Sequence, residues 1–229
     1  MHTRAETDDG RAALDDLCHV YRSPVLAYLR ARGYPSSDAE DMTQAFFEQL
    51  LVRRMHAVAD PERGRFRSFL LTSLKRFLAN RHQHDNSLKR GGGQAPETLD
   101  AGLDCADAVD LSPDAVFDRD YALTVVARAF ARLREEAAAS GKADLFAAAS
   151  EFLLESPDAS EYGELALRLG LRRNTLAVAI HRLRSRLRDL IRNELSLTVD
   201  DAGALHAEMS ALHKALAPNR TASGGSAAP

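Results

Sequence analysis

The chain has 229 residues, a formal net charge of −3 and 45% hydrophobic residues, which suffices for two modest domains or one large one. No run of about 18 apolar residues is present and the first residues lack the apolar core of a secretory signal, so we expect a cytoplasmic protein without a membrane span. Its two cysteines, Cys18 and Cys105, are too few and too far apart for a disulfide framework or a zinc cluster. We expect both to be reduced.

Local charge varies strongly along the chain, although the total is small. Residues 62–90, the first basic segment, contain eight Lys/Arg and two acids. Residues 168–192, the second basic segment, contain eight Arg and one acid. The acidic segment between them, residues 96–120, carries eight acids and one base. Since local charge decides how a protein meets a polyanion, both basic segments are candidates for nucleic-acid binding.

Apolar residues at helical spacing predict three helices in the first part of the chain. The first includes residues 14–29, and a turn and N-cap follow at 33–37. The second runs from about Asp38 to Met55 and the third from about Phe66 to His82. Their predicted buried positions are Ala39, Met42, Phe46, Phe47, Leu50, Leu51, Phe69, Leu70, Leu74, Phe77 and Leu78.

The remainder divides into a linker, a second helical block and a tail. Residues 94–117 have the composition of a linker, a second helical block follows from about Pro113 to Leu197, and Ala202–Leu216 predicts a short helix. No segment alternates as a strand does. We therefore predict an all-α protein of two small helical domains joined by a flexible acidic linker. The limits are 11–93 for the first domain, 94–117 for the linker, 118–197 for the second domain and 198–229 for the short helix and disordered tail.

Residues 160–191 show the most specific local pattern. Ser160 is a candidate N-cap of a short helix, and Gly170 permits a sharp turn because glycine enters left-handed backbone geometry without strain. A second helix begins near Arg173, with an apolar stripe at spacings of three and four: Leu176, Ile180, Leu183, Leu187, Leu190 and Ile191. This arrangement predicts a helix-turn-helix in the second domain.

The second helix of such a unit enters the major groove, and residues at its start contact base edges. Those residues here are Arg172, Arg173, Asn174, Ala177, Val178 and His181. Arginines further along are better placed for phosphates: Arg182, Arg184, Arg186 and Arg188. The alternative is an amphipathic helical hairpin with a solvated arginine face.

This unit resembles the −35-element domain of sigma factors of the extracytoplasmic-function type. Leu169-Gly170, Thr175-Leu176 and His181-Arg182 match the family's pattern in order and spacing. The resemblance adds Thr175 to the predicted DNA contacts. The chain departs from the family at Ala177-Val178-Ala179, where Lys, Ser or Arg is usual, so hydrogen-bond recognition there is weak and a methyl–thymine contact is the remaining option.

Residues 38–51, DAEDMTQAFFEQLL, resemble the polymerase-binding helix of the same family. The family's partner is the clamp coiled coil of the largest polymerase subunit. Helical geometry places a polar face opposite the Met42, Phe46 and Leu50 stripe. The predicted polymerase-binding residues are Asp38, Glu40, Asp41, Gln44 and Glu48. The alternative is a solvated helix face.

Residues 64–93 occupy the place where the family melts and binds the −10 element as single-stranded DNA. Such binding needs aromatic rings for base stacking and cations near the backbone. The predicted contacts are Arg63, Arg65, Phe66, Arg67, Lys75, Arg76, Asn80 and Arg81. The family's usual tryptophan is absent, which weakens the expectation of promoter melting.

The resemblance covers roughly residues 11–93 and 120–197, and it implies a sigma factor that directs core RNA polymerase to specific promoters. Core polymerase and promoter DNA are the implied partners, and an anti-sigma factor is a further candidate; we expect no cofactor, metal or catalytic residue. The alternative is a helix-turn-helix transcriptional regulator that does not associate with core polymerase, which leaves residues 38–51 unexplained. An enzyme is disfavoured, because neither the His82, His84 and Asp85 group nor the Cys18-His19 pair has partners at motif spacing.

Overall fold

The computed structural model describes residues 18–54, 66–89, 111–154, 159–199 and 201–217. Every regular element within these ranges is helical and none is a strand, which confirms the predicted all-α class. We number the helices in chain order. They are α1 (18–31), α2 (Ser36–Arg54), α3 (Phe66–Lys89), α4 (Pro113–Ala139), α5 (Ala143–Ala149) with a 3₁₀ turn at Ser150–Leu153, α6 (Ala159–Arg168), α7 (Arg173–Ser196) and α8 (Ala202–Leu216).

Several boundaries follow from local chemistry. Ser112 caps α4, since its side-chain oxygen accepts the Ala115 N–H at 3.3 Å, and Pro113 occupies the first helical position, where the missing N–H costs nothing. The last residues of the predicted linker, 113–117, therefore lie in α4; residues 94–110 lie outside the described ranges. Asp201 caps α8 in the same way, through the Ala204 N–H at 2.7 Å.

Three local expectations need correction. Helix α6 begins at Ala159, so Ser160 lies inside the helix and is not its N-cap. Helix α3 continues past His82 to Lys89. Leu183 of α7 is half-buried, and so are Leu51 of α2 and Phe69 and Phe77 of α3, whereas the other positions predicted as buried in these three helices are buried.

The chain divides into two compact units. Of the described residues, unit 1 comprises 18–54, 67–89, 111–123 and 206–217, and unit 2 comprises Phe66, 124–154, 159–199 and 201–205. Residues 206–216 of α8, which lie outside the family resemblance, are therefore part of unit 1 together with most of α3.

Unit 1 has an aromatic and aliphatic core. The Tyr21 and Tyr121 rings stack with centroids 5.0 Å apart, and the Phe46 and Phe77 rings meet edge to face at 5.6 Å. The buried apolar residues of the described part of this unit are Tyr21, Val25, Tyr28, Leu29, Ala39, Met42, Phe46, Phe47, Leu50, Leu70, Leu74, Leu78, Phe117, Tyr121, Ala122 and Leu212. Because the buried residues of α2 recur at helical spacing, its opposite face is left to solvent.

Unit 2 has a core that fixes the orientation of α7. One face of α7 is buried at Leu176, Ile180, Leu187, Leu190, Ile191 and Leu195. Leu165 and Ala166 of α6 and Phe146 of α5 are buried in the same unit. None of the described helices is both long enough and apolar enough to cross a membrane.

Candidate nucleic-acid interface

A glycine turn joins α6 to α7. Gly170 has φ +63°, a conformation that glycine adopts without strain. Its N–H donates to the Leu167 carbonyl at 3.1 Å, and the Leu171 N–H donates to the Ala166 carbonyl at 2.9 Å. These two hydrogen bonds close the end of α6 and turn the chain sharply, so that α7 starts at Arg173 as the sequence predicted.

The first turns of α7 present a continuous exposed face. The buried Leu176 and Ile180 hold the opposite face against the core of unit 2. The predicted base-contacting residues are all exposed, and so is the phosphate candidate Arg182: Arg172, Arg173, Asn174, Thr175, Ala177, Val178, His181 and Arg182. The structure therefore brings this group together on the solvent side of one helix.

Arg173 is positioned by a neighbouring helix. Its guanidinium packs beside Gly163 of α6, so closely that a Cβ on Gly163 would meet the Arg173 Nη2 atom. Gly163 itself is buried. A glycine in the first half of a helix is unfavourable by propensity, which is a signal that could have indicated a close approach, but the sequence analysis did not use it. The sequence analysis did not identify the partner.

Two of the predicted phosphate contacts are engaged within unit 2. Arg184 donates from Nε and Nη2 to the Phe152 carbonyl at 3.0 and 2.6 Å. Arg186 forms a two-pronged ion pair with Glu136, at 2.8 Å from Nε and 2.6 Å from Nη2. The hydrogen bond from Arg186 lowers the pKa of Glu136 below its usual value. Arg188, one turn after Arg184, is exposed.

A groove of about 620 Å³ borders the exposed face of α7 within unit 2. Its wall opposite α7 is formed by the end of α4 and the start of α5, including Leu133, Ala137 and Leu145. The residues that α7 contributes are Asn174, Thr175, Val178, Ala179, Arg182, Leu183 and Arg186. The predicted DNA-contacting face is thus concave on one side, with cations along its edge.

A buried acid fixes the other end of α7. Glu194 is only 5% exposed at its side chain; its Oε2 accepts a hydrogen bond from Arg128 Nε at 3.0 Å, and its Oε1 forms an ion pair with Arg132 Nη1 at 2.9 Å. Both arginines belong to α4, one turn apart. This network holds α7 against α4, and no local pattern in the sequence identified it.

The first basic segment is arranged differently. Arg67 is only 12% exposed at its side chain; it pairs with Glu208 of α8, Nε to Oε2 at 3.0 Å, and with Asp118 of α4. Its guanidinium also lies 6.0 Å from the centre of the Tyr121 ring. Burial lowers the pKa of Arg67, but the hydrogen bond to Glu208 and the charges of Asp118 and Glu208 raise it by more, so its net pKa is raised. Arg67, predicted as a DNA contact, is enclosed by carboxylates of its own unit.

The other candidates on α3 differ in exposure. Lys75 is exposed but pairs with Asp114 of α4 at 2.5 Å. Arg76, Asn80 and Arg81 are exposed. Phe66, predicted to stack on bases, is half-buried, and its N–H donates to the Thr198 carbonyl at 3.3 Å within unit 2. Arg63 and Arg65 lie outside the described residues.

The predicted polymerase-binding face of α2 is exposed along its length. Asp38, Glu40, Asp41, Gln44 and Glu48 all lie at the surface. Gln44 donates from Nε2 to Glu48 Oε1 at 2.9 Å, and Arg30 of α1 lies 3.7 Å from Glu40. Val52, four residues after Glu48, is 64% exposed and continues this face with an apolar side chain. The sequence analysis did not include Val52.

Within the described ranges, no three His, Cys, Asp or Glu side chains cluster in a way that could hold a metal ion. No protein-family model matches this chain, and neither the curated proteins nor the solved structures include a significant match to it.

Proposed function

We propose that this protein is a sigma factor of the extracytoplasmic-function type, which binds core RNA polymerase and directs it to specific promoters. The observation that carries the proposal is the exposed face at the start of α7, where the predicted base-contacting residues lie together, opposite a buried stripe and directly after a glycine turn. The family resemblance of residues 38–51 connects this DNA-binding surface to polymerase.

In this proposal α6 and α7 are a helix-turn-helix, and α7 is the helix that enters the major groove. The exposed Arg172 and Arg173 stand at the start of α7, where unpaired backbone N–H groups and the helix dipole favour an anionic group such as a phosphate. Asn174, one residue further, carries the amide that pairs with adenine in the major groove. Cations and base-contacting groups therefore occur on one face, as DNA recognition requires.

The polymerase contact rests on α2. Acidic and amide side chains on an exposed helix face offer directional hydrogen bonds to a partner helix. Val52 adds an exposed apolar group at the end of that face. A polar face that ends in an apolar contact is an arrangement that protein interfaces use, because the apolar group supplies desolvation energy and the polar groups supply orientation.

The test is association of the full-length chain with core polymerase, followed by transcription from promoters selected from genomic DNA. The variant D41A/Q44A should weaken association at least tenfold, because both side chains are exposed and lie on the proposed contact. The matched control is D144A/Q83A, which removes one exposed acid and one exposed amide outside α2. Circular dichroism should be unchanged for both variants.

The outcomes separate the proposal from its main alternative. Specific DNA binding by the isolated chain, with no association with core polymerase, would identify a helix-turn-helix regulator. Equal association of D41A/Q44A and D144A/Q83A would reject α2 as the contact.

A further inference from the structure

An exposed valine stands in the middle of the proposed DNA-contacting face. Val178 of α7 is 49% exposed, although burial would be favourable for its side chain. Asn174 lies one turn before it and Arg182 one turn after it, and both are exposed. Val178 is thus an apolar patch one residue wide between a hydrogen-bonding group and a cation.

A valine side chain has no hydrogen-bond donor or acceptor, so it cannot recognise the polar edge of a base. The one apolar feature on the major-groove edges of the four bases is the C5 methyl group of thymine. Valine is also stiff at χ1, so its two methyl groups are held in place before contact and little rotamer freedom is lost on binding.

We infer that Val178 is a specificity-determining residue that selects thymine through its methyl group; this inference rests on the proposed DNA-binding function. Asn174 and Val178 are separated by about 6 Å along the helix axis, from a rise of about 1.5 Å per residue. Base pairs are spaced about 3.4 Å apart. The selected thymine therefore lies about two base pairs from the base that Asn174 contacts, for which adenine is the geometric match.

The groove beside Val178 suggests a second occupant, a protein segment seated against Leu133, Ala137 and Leu145. The charges of the groove favour DNA. Lys142 and Arg182 contribute cations to its lining, and the other two charged residues of the lining, Glu136 and Arg186, are paired with each other. A cationic edge around one apolar group suits phosphates on either side of a base contact.

The experiment first selects bound sequences from a random duplex library, with the full-length chain alone and with core polymerase. Each thymine of the selected site is then replaced by deoxyuridine, which removes only the C5 methyl group. The dissociation constants of both duplexes are measured for the unaltered protein and for Val178→Ala. This substitution should not destabilise α7, because position 178 is exposed and alanine has a high helix propensity. Leu123→Ala, at an apolar residue of α4 that is 51% exposed, is the matched control.

We expect one thymine whose replacement weakens binding of the unaltered protein and of Leu123→Ala about fourfold, the effect of burying one methyl group. For Val178→Ala the same replacement should change binding less than twofold. Replacement of thymine by uracil also changes the duplex itself, but this change is the same for every protein variant. The difference in binding between the variants therefore reports the contact with the methyl group.

Three results would overturn the inference, and they differ in what they say about the proposed function. If no thymine shows this sensitivity, or if Val178→Ala retains it, Val178 does not select thymine while DNA binding stands. If Val178→Ala leaves DNA binding intact but weakens association with core polymerase, the occupant of this face is a protein. If neither the chain nor its complex with polymerase selects any sequence, the proposed function itself fails.

Discussion

The two basic segments contain equal numbers of basic residues but use them differently. In the first, Arg67 and Lys75 are paired with carboxylates from α4 and α8, whereas Arg76 and Arg81 are exposed. In the second, the arginines at the start of α7 are exposed and lie on the proposed DNA-contacting face, whereas Arg184 and Arg186 bind groups of their own unit. A count of charges in the sequence cannot separate paired cations from exposed ones, because the acids that form ion pairs with these cations come from distant parts of the chain.

Arg67 and Glu208 are 141 residues apart in sequence. Their pairing gives Arg67 a structural part in unit 1, between α3, α4 and α8. The acidic segment contributes Asp114 and Asp118, so two of its acids contact cations of the first basic segment. Of the predicted DNA contacts on α3, those that remain exposed and without a carboxylate partner in the contacts above are Arg76, Asn80 and Arg81.

The largest expected effect is on stability. Replacing Arg67 by methionine leaves the carboxylate of Glu208, which is 2% exposed, buried without its main partner. We expect a loss of about 3 kcal/mol in the free energy of unfolding, measured by urea denaturation. The control Lys75→Met breaks an exposed ion pair and should cost less than about 1 kcal/mol.

The double variant R67M/E208M tests the cause of that loss. Because apolar residues can replace a buried ion pair at little cost, it should recover most of the stability that R67M loses. If the double variant were less stable than R67M, packing around these side chains and not an unpaired charge would explain the effect.

The next effect concerns DNA recognition at the start of α7. Arg173→Ala should lower promoter affinity by about 1–3 kcal/mol and relax the preference at one base position. Arg192→Ala, an exposed arginine near the end of α7, is the control and should change affinity little. Selection from a random duplex library with each variant measures both quantities. A uniform loss across all sequences would show that Arg173 contacts phosphate and not a base edge.

A smaller effect on DNA affinity is expected where an acid forms an ion pair with a cation of the second basic segment. Glu136→Gln removes the charge that holds Arg186, so Arg186 can contact phosphate. We expect affinity to rise about threefold at low salt, and the salt dependence to steepen by about one released counterion. Fluorescence anisotropy at two salt concentrations measures this. The double variant E136Q/R186A should abolish the gain, and a gain that persists would place its cause elsewhere.

The smallest effect is on stability as a function of pH. The pKa of Glu136 is lowered in the folded protein, so its pair with Arg186 stabilises fully above the ordinary carboxyl pKa of about 4.3 and is lost as pH falls through the lowered value. Both side chains are more than a third exposed, which limits the contribution to less than about 0.5 kcal/mol. The stability difference between the unaltered protein and E136Q should be present at pH 6 and should shrink as pH falls below about 4.3. A difference that did not change with pH would contradict the assignment.

The helices were predictable because their signals are local. Apolar spacing placed the buried face of α2 and the start of α7, and the predicted bounds of Ala202–Leu216 match α8. What the sequence could not show was which distant groups meet. In the sequence, Glu194 and Glu208 do not differ from the exposed acids of other helical segments. They are buried beside arginines only because α7 and α8 pack against other helices. The exposed position of Val52 was equally hidden, since helical periodicity alone does not fix how wide a buried face is.

Association of the full-length chain with core RNA polymerase from the same organism, followed by mapping of transcript starts, tests the central claim most directly. We predict that the chain binds core polymerase, that the complex starts transcription at defined sites absent with core polymerase alone, and that D41A/Q44A loses both properties while D144A/Q83A keeps them. A chain that binds DNA specifically but neither binds polymerase nor changes its start sites would contradict the proposal.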